Sequence, residues 1–116
     1  MELLGPDFNP SEIAGTIIGD FDPAINVTRF NSFNGRLIIT REKVYVTPYF
    51  QAGMHDAIGA TFYKPRCFAV DEIAAYSRTG LAGFRITLKD GTVFNFSNVF
   101  GKMRKGIIAA LEEATS

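Results

Sequence analysis

The sequence predicts a mainly β domain, with about seven short antiparallel strands and one C-terminal helix that caps them. Two observations carry this reading. Apolar and polar residues alternate over short runs punctuated by turn dipeptides such as Asn34-Gly35 and Asp90-Gly91, as in half-buried strands joined by hairpins. After Ser97-Asn98 the apolar period lengthens to the helical one, with Phe100, Met103, Ile107, Ala110, Leu111 and Ala114 on one stripe.

Taken in order, residues 1–24 read as an N-terminal arm or extra element, and residues 25–116 as the domain proper. Asn9-Pro10-Ser11-Glu12 offers helix-start chemistry. The apolar run Ile13–Ile18 is too short to choose between helix and strand. Ile25 to Ser32 reads as a strand, and Asn34-Gly35 as its hairpin turn, because both residues tolerate positive φ. Arg36–Thr40 and Lys43–Thr47 are strands joined tightly by Arg41-Glu42, with Val44 and Val46 on one face and Tyr45 and Thr47 on the other. Residues 51–59 read as a loop. Thr61 to Ala69 reads as a strand with Pro65 inside it, which would make it an edge, bulged or bent strand, since proline donates no ladder hydrogen bond. Ile73–Arg78 follows, then a glycine-bounded turn at residues 79–83. Phe84, Ile86 and Leu88 should share a face with Thr92, Phe94 and Phe96 across the Asp90-Gly91 turn. Ser97 or Asn98 is the expected helix cap, and Gly101 and Gly106 each weaken that helix by about 1 kcal/mol relative to alanine.

Composition narrows the function. The 116 residues fit one domain. Twelve basic and twelve acidic residues cancel, so no overall charge draws the chain to nucleic acid or to an anionic membrane. The single cysteine, Cys67, allows no internal disulfide. The N-terminal residues do not read as a signal peptide, and no run approaches the roughly 20 apolar residues of a membrane span. A cytoplasmic location, possibly peripheral at a membrane, is the expectation.

Three pieces of the sequence resemble the pleckstrin-homology-like (PH-like) superfamily. Gly35–Val46 is similar to the glycine, strand, threonine, turn, strand unit of GRAM-like and bacterial PH-like domains. Phe68-Ala69-Val70-Asp71-Glu72-Ile73 resembles their strand pair joined by an acidic residue and isoleucine. Leu88–Phe96, followed by a helix ending in Ala109–Glu113, resembles their closing hairpin and cap. The resemblance covers residues 25–115 and implies a bent β-barrel capped by the helix, used as a binding module for phosphoinositides, proteins or further copies of itself. The dense basic pattern of the phosphoinositide-binding members is absent. Arg29 and Arg36 match it loosely, with Arg41 and Lys43 at the next turn. The chain also lacks the tryptophan of many eukaryotic PH helices, which favours the bacterial-type branch.

No residue set points to catalysis, and no cofactor is expected. His55, the single histidine, lies next to Asp56, but adjacency does not give a catalytic pair. It reads as an ordinary loop residue. Cys67 reads as a small buried hydrophobe rather than a nucleophile, because no histidine or fixed cation is placed to lower its pKa. One cysteine and one histidine cannot build a zinc site. Gly80-Leu81-Ala82-Gly83 has a GxxG form but joins strands, not the helices that a KH domain requires. Lys102, Arg104 and Lys105 fall in the first turns of the last helix, where the dipole disfavours cations. They read as a solvated face or as a secondary basic patch.

The first expectation is therefore a non-enzymatic interaction module acting through protein contact, with self-association foremost. Its contact surface would be the strand edge near Pro65 and the aromatic residues Tyr49, Phe50 and Tyr63. The alternative is a peripheral membrane module in which Arg29, Arg36, Arg41 and Lys43 converge on an anionic head group. A small-ligand carrier or enzyme is the third reading, for which no constellation of titratable residues is apparent.

Overall fold

The computed structural model describes residues 1–4, 8–26, 32–48 and 65–116. Among the described residues nine strands form one antiparallel sheet: β1 (Glu2–Leu3), β2 (Ile17–Phe21), β3 (Ala24–Asn26), β4 (Ser32–Thr40), β5 (Lys43–Pro48), β6 (Arg66–Ala69), β7 (Ile73–Thr79), β8 (Gly83–Leu88) and β9 (Val93–Ser97). Helix α1 spans Gly101–Thr115. The mainly β architecture with a C-terminal helix is as expected, but the barrel is not closed. The strand order runs β1-β6-β5-β4-β3-β9-β8-β7, with β2 beside β4, and the terminal strands β1 and β7 do not pair. Closure would need β6 against β7. The edge of β6 is instead taken by β1, through Glu2 opposite Cys67 and Leu3 opposite Arg66.

Strand β4 organises the sheet. Its C-terminal half pairs with β2 and its N-terminal half with β3, while β5 runs along its other edge. Asp22-Pro23 separates β2 from β3, and the Pro23 carbonyl accepts the Gly35 N–H at 3.1 Å. Asn34-Gly35 is therefore not a turn: Asn34 faces Ala24 and Gly35 faces Pro48 within the ladder. Cross-strand partners on both sides override the local turn preference of the dipeptide. The β4–β5 connection is as expected. Thr40 Oγ1 accepts the Lys43 N–H at 2.9 Å and the Glu42 N–H at 3.3 Å, and donates to the Lys43 carbonyl at 3.1 Å, which locks a two-residue turn.

Three further expectations change. Asn9-Pro10-Ser11-Glu12 makes only a short 3-10 turn, in which Asn9 Oδ1 accepts the Ser11 N–H at 3.0 Å, and Ile17 and Ile18 are strand. Of the strand expected over Thr61 to Ala69, residues 61–64 lie outside the described residues; β6 begins just after Pro65, whose carbonyl accepts the Leu4 N–H at 2.7 Å. With β1 on one side and β5 on the other, β6 is an inner strand. The helix is capped at Phe100 with no side-chain cap bond. Asn98 sits at φ 57 and turns the chain there, so Phe100 leaves the buried stripe and is 64% exposed.

One main core collects the inner face of the whole sheet and the helix. Leu37, Ile39, Val44, Val46 and Phe68 come from one half, Phe84, Ile86, Leu88, Phe94 and Phe96 from the other, and Ile107, Ala110 and Leu111 from α1. Phe68 and Phe94 stack across it with ring centroids 5.2 Å apart. The closing hairpin has the register read from its turn, with Phe84 opposite Phe96 and Ile86 opposite Phe94. Gly91 at φ 95 and Asp90 Oδ1, which accepts the Thr92 N–H at 2.8 Å, form the turn. On the other face Ile38, Tyr45 and Cys67 form a second small cluster under Leu4, Phe8 and Ile13, and Phe8 lies parallel to Tyr45 at 5.8 Å.

Gly106 weakens the helix for a packing reason. A Cβ there would lie 2.7 Å from Phe21 Cε1, and one at Gly19 would lie 2.7 Å from Phe21 Cε2 and 2.9 Å from Ala110 Cβ. The Phe21 ring thus occupies the gap that the two glycines leave between β2 and α1. Gly106→Ala should destabilise the native chain despite its better helix propensity. With Phe21→Ala in place, the same change should stabilise by about 1 kcal/mol. Urea unfolding of the four proteins reads this. A stabilising Gly106→Ala in the native background would show that the ring yields.

Candidate functional site

The residues singled out by sequence separate into distinct places. Arg29, Tyr49, Phe50, Tyr63 and His55 lie outside the described residues. Arg36, on β4, meets Asp20 on β2 through its Nε at 3.2 Å and through Nη2. Arg41, in the β4–β5 turn, lies 3.6 Å from Glu113 of α1. Lys43, at the start of β5, is 4.0 Å from Glu2. Each of these three cations therefore faces a carboxylate.

Arg41 and Lys43 do share one feature. They line a groove of about 620 Å³ between the β4–β5 turn, the 3-10 turn Val70–Glu72 and the end of α1. Lys89 joins them there, along with Glu42 and Asp71. The structure brings Lys89 in because its N–H donates to the Glu72 carbonyl at 2.8 Å. Nothing in the local sequence links these residues. The groove mixes three cations with carboxylates beside the C-terminal, negative end of the helix dipole, which balances charge rather than building an anion cradle.

Cys67 sits on β6, 2% exposed. Its thiol donates to Glu2 Oε2 at 3.3 Å. Burial first, then the carboxylate of Glu2, pushes its pKa up from 9.0 to about 11. It is a protonated, apolar-packed thiol, as read from the sequence. Nearby, Glu72 accepts the amino group of Met1 at 2.6 Å and the Ala69 N–H at 2.7 Å, and these bonds, the first above all, hold its pKa below the usual carboxylate range.

In the secondary basic patch, Arg104 differs from its neighbours. Its Nη2 donates to the carbonyls of Leu81 at 2.5 Å and Gly80 at 3.5 Å, tying the helix start to the β7–β8 turn. Lys102 and Lys105 are exposed, and among the described residues neither pairs with a carboxylate. No group of three histidine, cysteine, aspartate or glutamate side chains among the described residues could hold a metal ion. No described helix is long and apolar enough to cross a membrane.

The edges of the sheet are the other surface of interest. β1 ends the sheet with two residues and β7 with seven. Among the described residues β7 has one neighbour, β8. Ala74, Ala75, Ser77 and Arg78 along it are exposed. The free main-chain groups of such a strand are a template for another strand.

Neither a family model nor a curated protein matches the sequence. Solved structures do. The chain is similar to the C-terminal domain of an unknown protein from Leishmania infantum, with TM-score 0.65, 14% identity, and coverage of 87% of this chain and 85% of that one. It is also similar to the C-terminal PH domain of pleckstrin, solved in complex with D-myo-Ins(1,2,3,5,6)P5, with TM-score 0.64, 18% identity and coverage of 90% and 100%. The fold is PH-like. A third likeness, to the linker-DH/PH domains of p115-RhoGEF, has TM-score 0.64 and 7% identity, and there the chain spans 28% of the other protein's length. Identities this low carry the fold and no function. The β7 edge, which has one neighbour among the described residues, follows from topology and has no local sequence signal.

The raised Cys67 pKa has a stability consequence. Its folded value lies above the unfolded one, so its contribution is present in full below about pH 9 and is lost as pH rises toward about 11. Denaturant unfolding between these limits should show that loss, and Cys67→Ala should remove its share. Thiol reagents should label the native protein at pH 8 far more slowly than the unfolded chain. Equal rates would mean that the thiol is not buried.

Proposed function

We propose that this chain is a non-catalytic interaction module of PH-like fold, from the GRAM-like and bacterial branch, working in a reducing compartment by protein contact. The edge of β7, which has no second neighbour among the described residues, is the observation that carries this reading. An extended strand added there gains main-chain hydrogen bonds along seven residues. The partner best suited to it is β7 of a second copy, in an antiparallel pair about a two-fold axis. Centred on Tyr76, that pairing sets Ala74 opposite Arg78 and Ala75 opposite Ser77. The two Arg78 side chains are then apart and face small residues, so no like charges oppose each other. The zero net charge of the chain adds no long-range repulsion between copies.

This moves the contact surface from where the sequence put it. The segment at Pro65 leads into an inner strand, so β7 takes the role assigned to the Pro65 edge.

Light scattering on a sizing column should show a discrete dimer that persists in high salt, since main-chain pairing is little screened. Ser77 and Arg78 are consecutive, so one turns its N–H toward β8 and the other outward. Of Ser77→Pro and Arg78→Pro, one should destabilise the fold and the other should keep the native melt yet be monomeric. A native chain that stays monomeric at all concentrations, or a dimer that survives both substitutions, would sink self-pairing through β7.

A further inference from the structure

Helix α1 carries its exposed charges in the order that its own dipole opposes. Lys102 lies in the first turn and Lys105 just beyond it, while Glu112 and Glu113 lie in the last turn. The first turn holds no acid and the last turn no base. The N-terminus is the positive end of a helix dipole, so each charge sits toward the less favourable end. Reversing the order would stabilise the isolated helix, and the native order calls for something outside it.

The same charges form one stripe. Lys102, Lys105, Ala109 and Glu112 are three, four and three residues apart, the spacing of a seam between two helices. All four are exposed, as is Glu113, and they lie on the side of α1 away from the buried Ile107, Ala110 and Leu111. Among the described residues Lys102, Lys105 and Glu112 pair with no opposite charge, and Glu113 is 3.6 Å from Arg41. Within the helix Lys105 and Glu112 are seven residues apart, beyond the three or four at which side chains on one face meet.

We propose that α1 docks antiparallel against α1 of a second copy, about a two-fold axis at Ala109. The stripe is complementary to its own inverse. Lys105 lies four residues before the axis, and Glu112 and Glu113 lie three and four residues after it. Antiparallel pairing therefore brings Lys105 of each copy level with the acidic pair of the other, and does so twice by symmetry. Lys102, one turn further out, reaches toward the same carboxylates. At the axis Ala109 meets Ala109, and small side chains there let the helices approach closely. Each helix N-terminus also lies beside the negative end of its neighbour. A parallel pairing would set like charges together, and an uncharged partner would leave the stripe unpaired. The contact uses no residue of β7, so it stands or falls separately from pairing there. Where both form, two different two-fold contacts on one chain join dimers into tetramers or an open chain.

Sedimentation of the native chain over a concentration series, at about 0.01 M and about 1 M salt, should show a step in mass at low salt only, because exposed ion pairs are screened. Lys102→Glu with Lys105→Glu sets carboxylates against each other at both symmetry-related positions and should weaken the step about tenfold. Adding Glu112→Lys and Glu113→Lys inverts the whole stripe at unchanged net charge. It should restore the step, yet the inverted chain should not join the native one. In dilute solution neither variant should melt below the native chain, since each relieves charges set against the dipole. A native mass that ignores salt would overturn the proposal, as would a step that the first pair of substitutions leaves intact or that full inversion fails to restore. A chain that is monomeric at high salt yet takes the low-salt step would sink pairing through β7 and leave the helix contact standing.

Discussion

Strand β4 is hydrogen-bonded along both edges and covered on both faces, and the rest of the molecule is arranged around that constraint. β5 follows one edge, while β2 and then β3 share the other. Leu37 and Ile39 enter the main core, and Ile38 enters the smaller cluster behind it, all three with no exposure. A half-buried sheet needs one layer over it, but β4 needs two. Helix α1 helps to cover one face and the segment carrying Leu4, Phe8 and Ile13 covers the other. The apolar run Leu37-Ile38-Ile39 is the reason. With consecutive side chains pointing to opposite faces, leaving the outer face bare would expose Ile38 and the ring of Tyr45. The N-terminal segment thus does for the outer face what the helix does for the inner one.

That cover also decides the topology. A strand drawn across the outer face toward β6 can pair with its edge, as β1 does, and an edge so occupied cannot meet β7. The sheet stays open because the same segment serves as lid and as edge strand. The two ends are unequal: one is closed by two residues of β1, while β7 is left with one neighbour among the described residues. Edge strands are usually short, proline-bearing or charged. β7 is seven residues long, holds no proline and carries Arg78 as its one charge.

The sequence made some of this legible and hid the rest for physical reasons. The β8–β9 hairpin could be read residue by residue, since its pattern, turn and register are all local. The Arg41-Glu42 connection and the inward faces of Val44 and Val46 were readable in the same way. Asn34-Gly35 misled because its turn preference is worth less than the partners on either side of β4. The Pro65 edge misled because the strand that covers β6 comes from the far end of the chain. The resemblance to PH-like domains implied a closed barrel, and the position of β1 does not belong to the pieces that carried the resemblance. In the basic set, Arg36, Arg41 and Lys43 lie close in sequence, yet Asp20, Glu113 and Glu2 that face them lie 16 or more residues away. Lys89 was missed at the groove for the same reason.

A net charge of zero accurately reports the long-range field and conceals its distribution. On the half of the sheet built from β1, β2, β4, β5 and β6, cations sit against carboxylates: Arg36 with Asp20, Arg41 with Glu113, Lys43 with Glu2. Exposed pairs of this kind contribute little to stability, but each neutralises its neighbourhood. On the other half, Arg78, Arg85, Lys102 and Lys105 have no such partners among the described residues. Potentials near a surface follow the local sum within a screening length of about 8–10 Å rather than the total. A balanced chain with exposed cations gathered on one half carries its surplus acid elsewhere and is dipolar, and a dipolar molecule is oriented by a charged surface even when it is not drawn to it from afar. Arg104 marks the boundary. It is buried enough to spend its guanidinium on main-chain carbonyls, so it fixes the geometry of the cationic end while the residues beside it keep their charge for the solvent side.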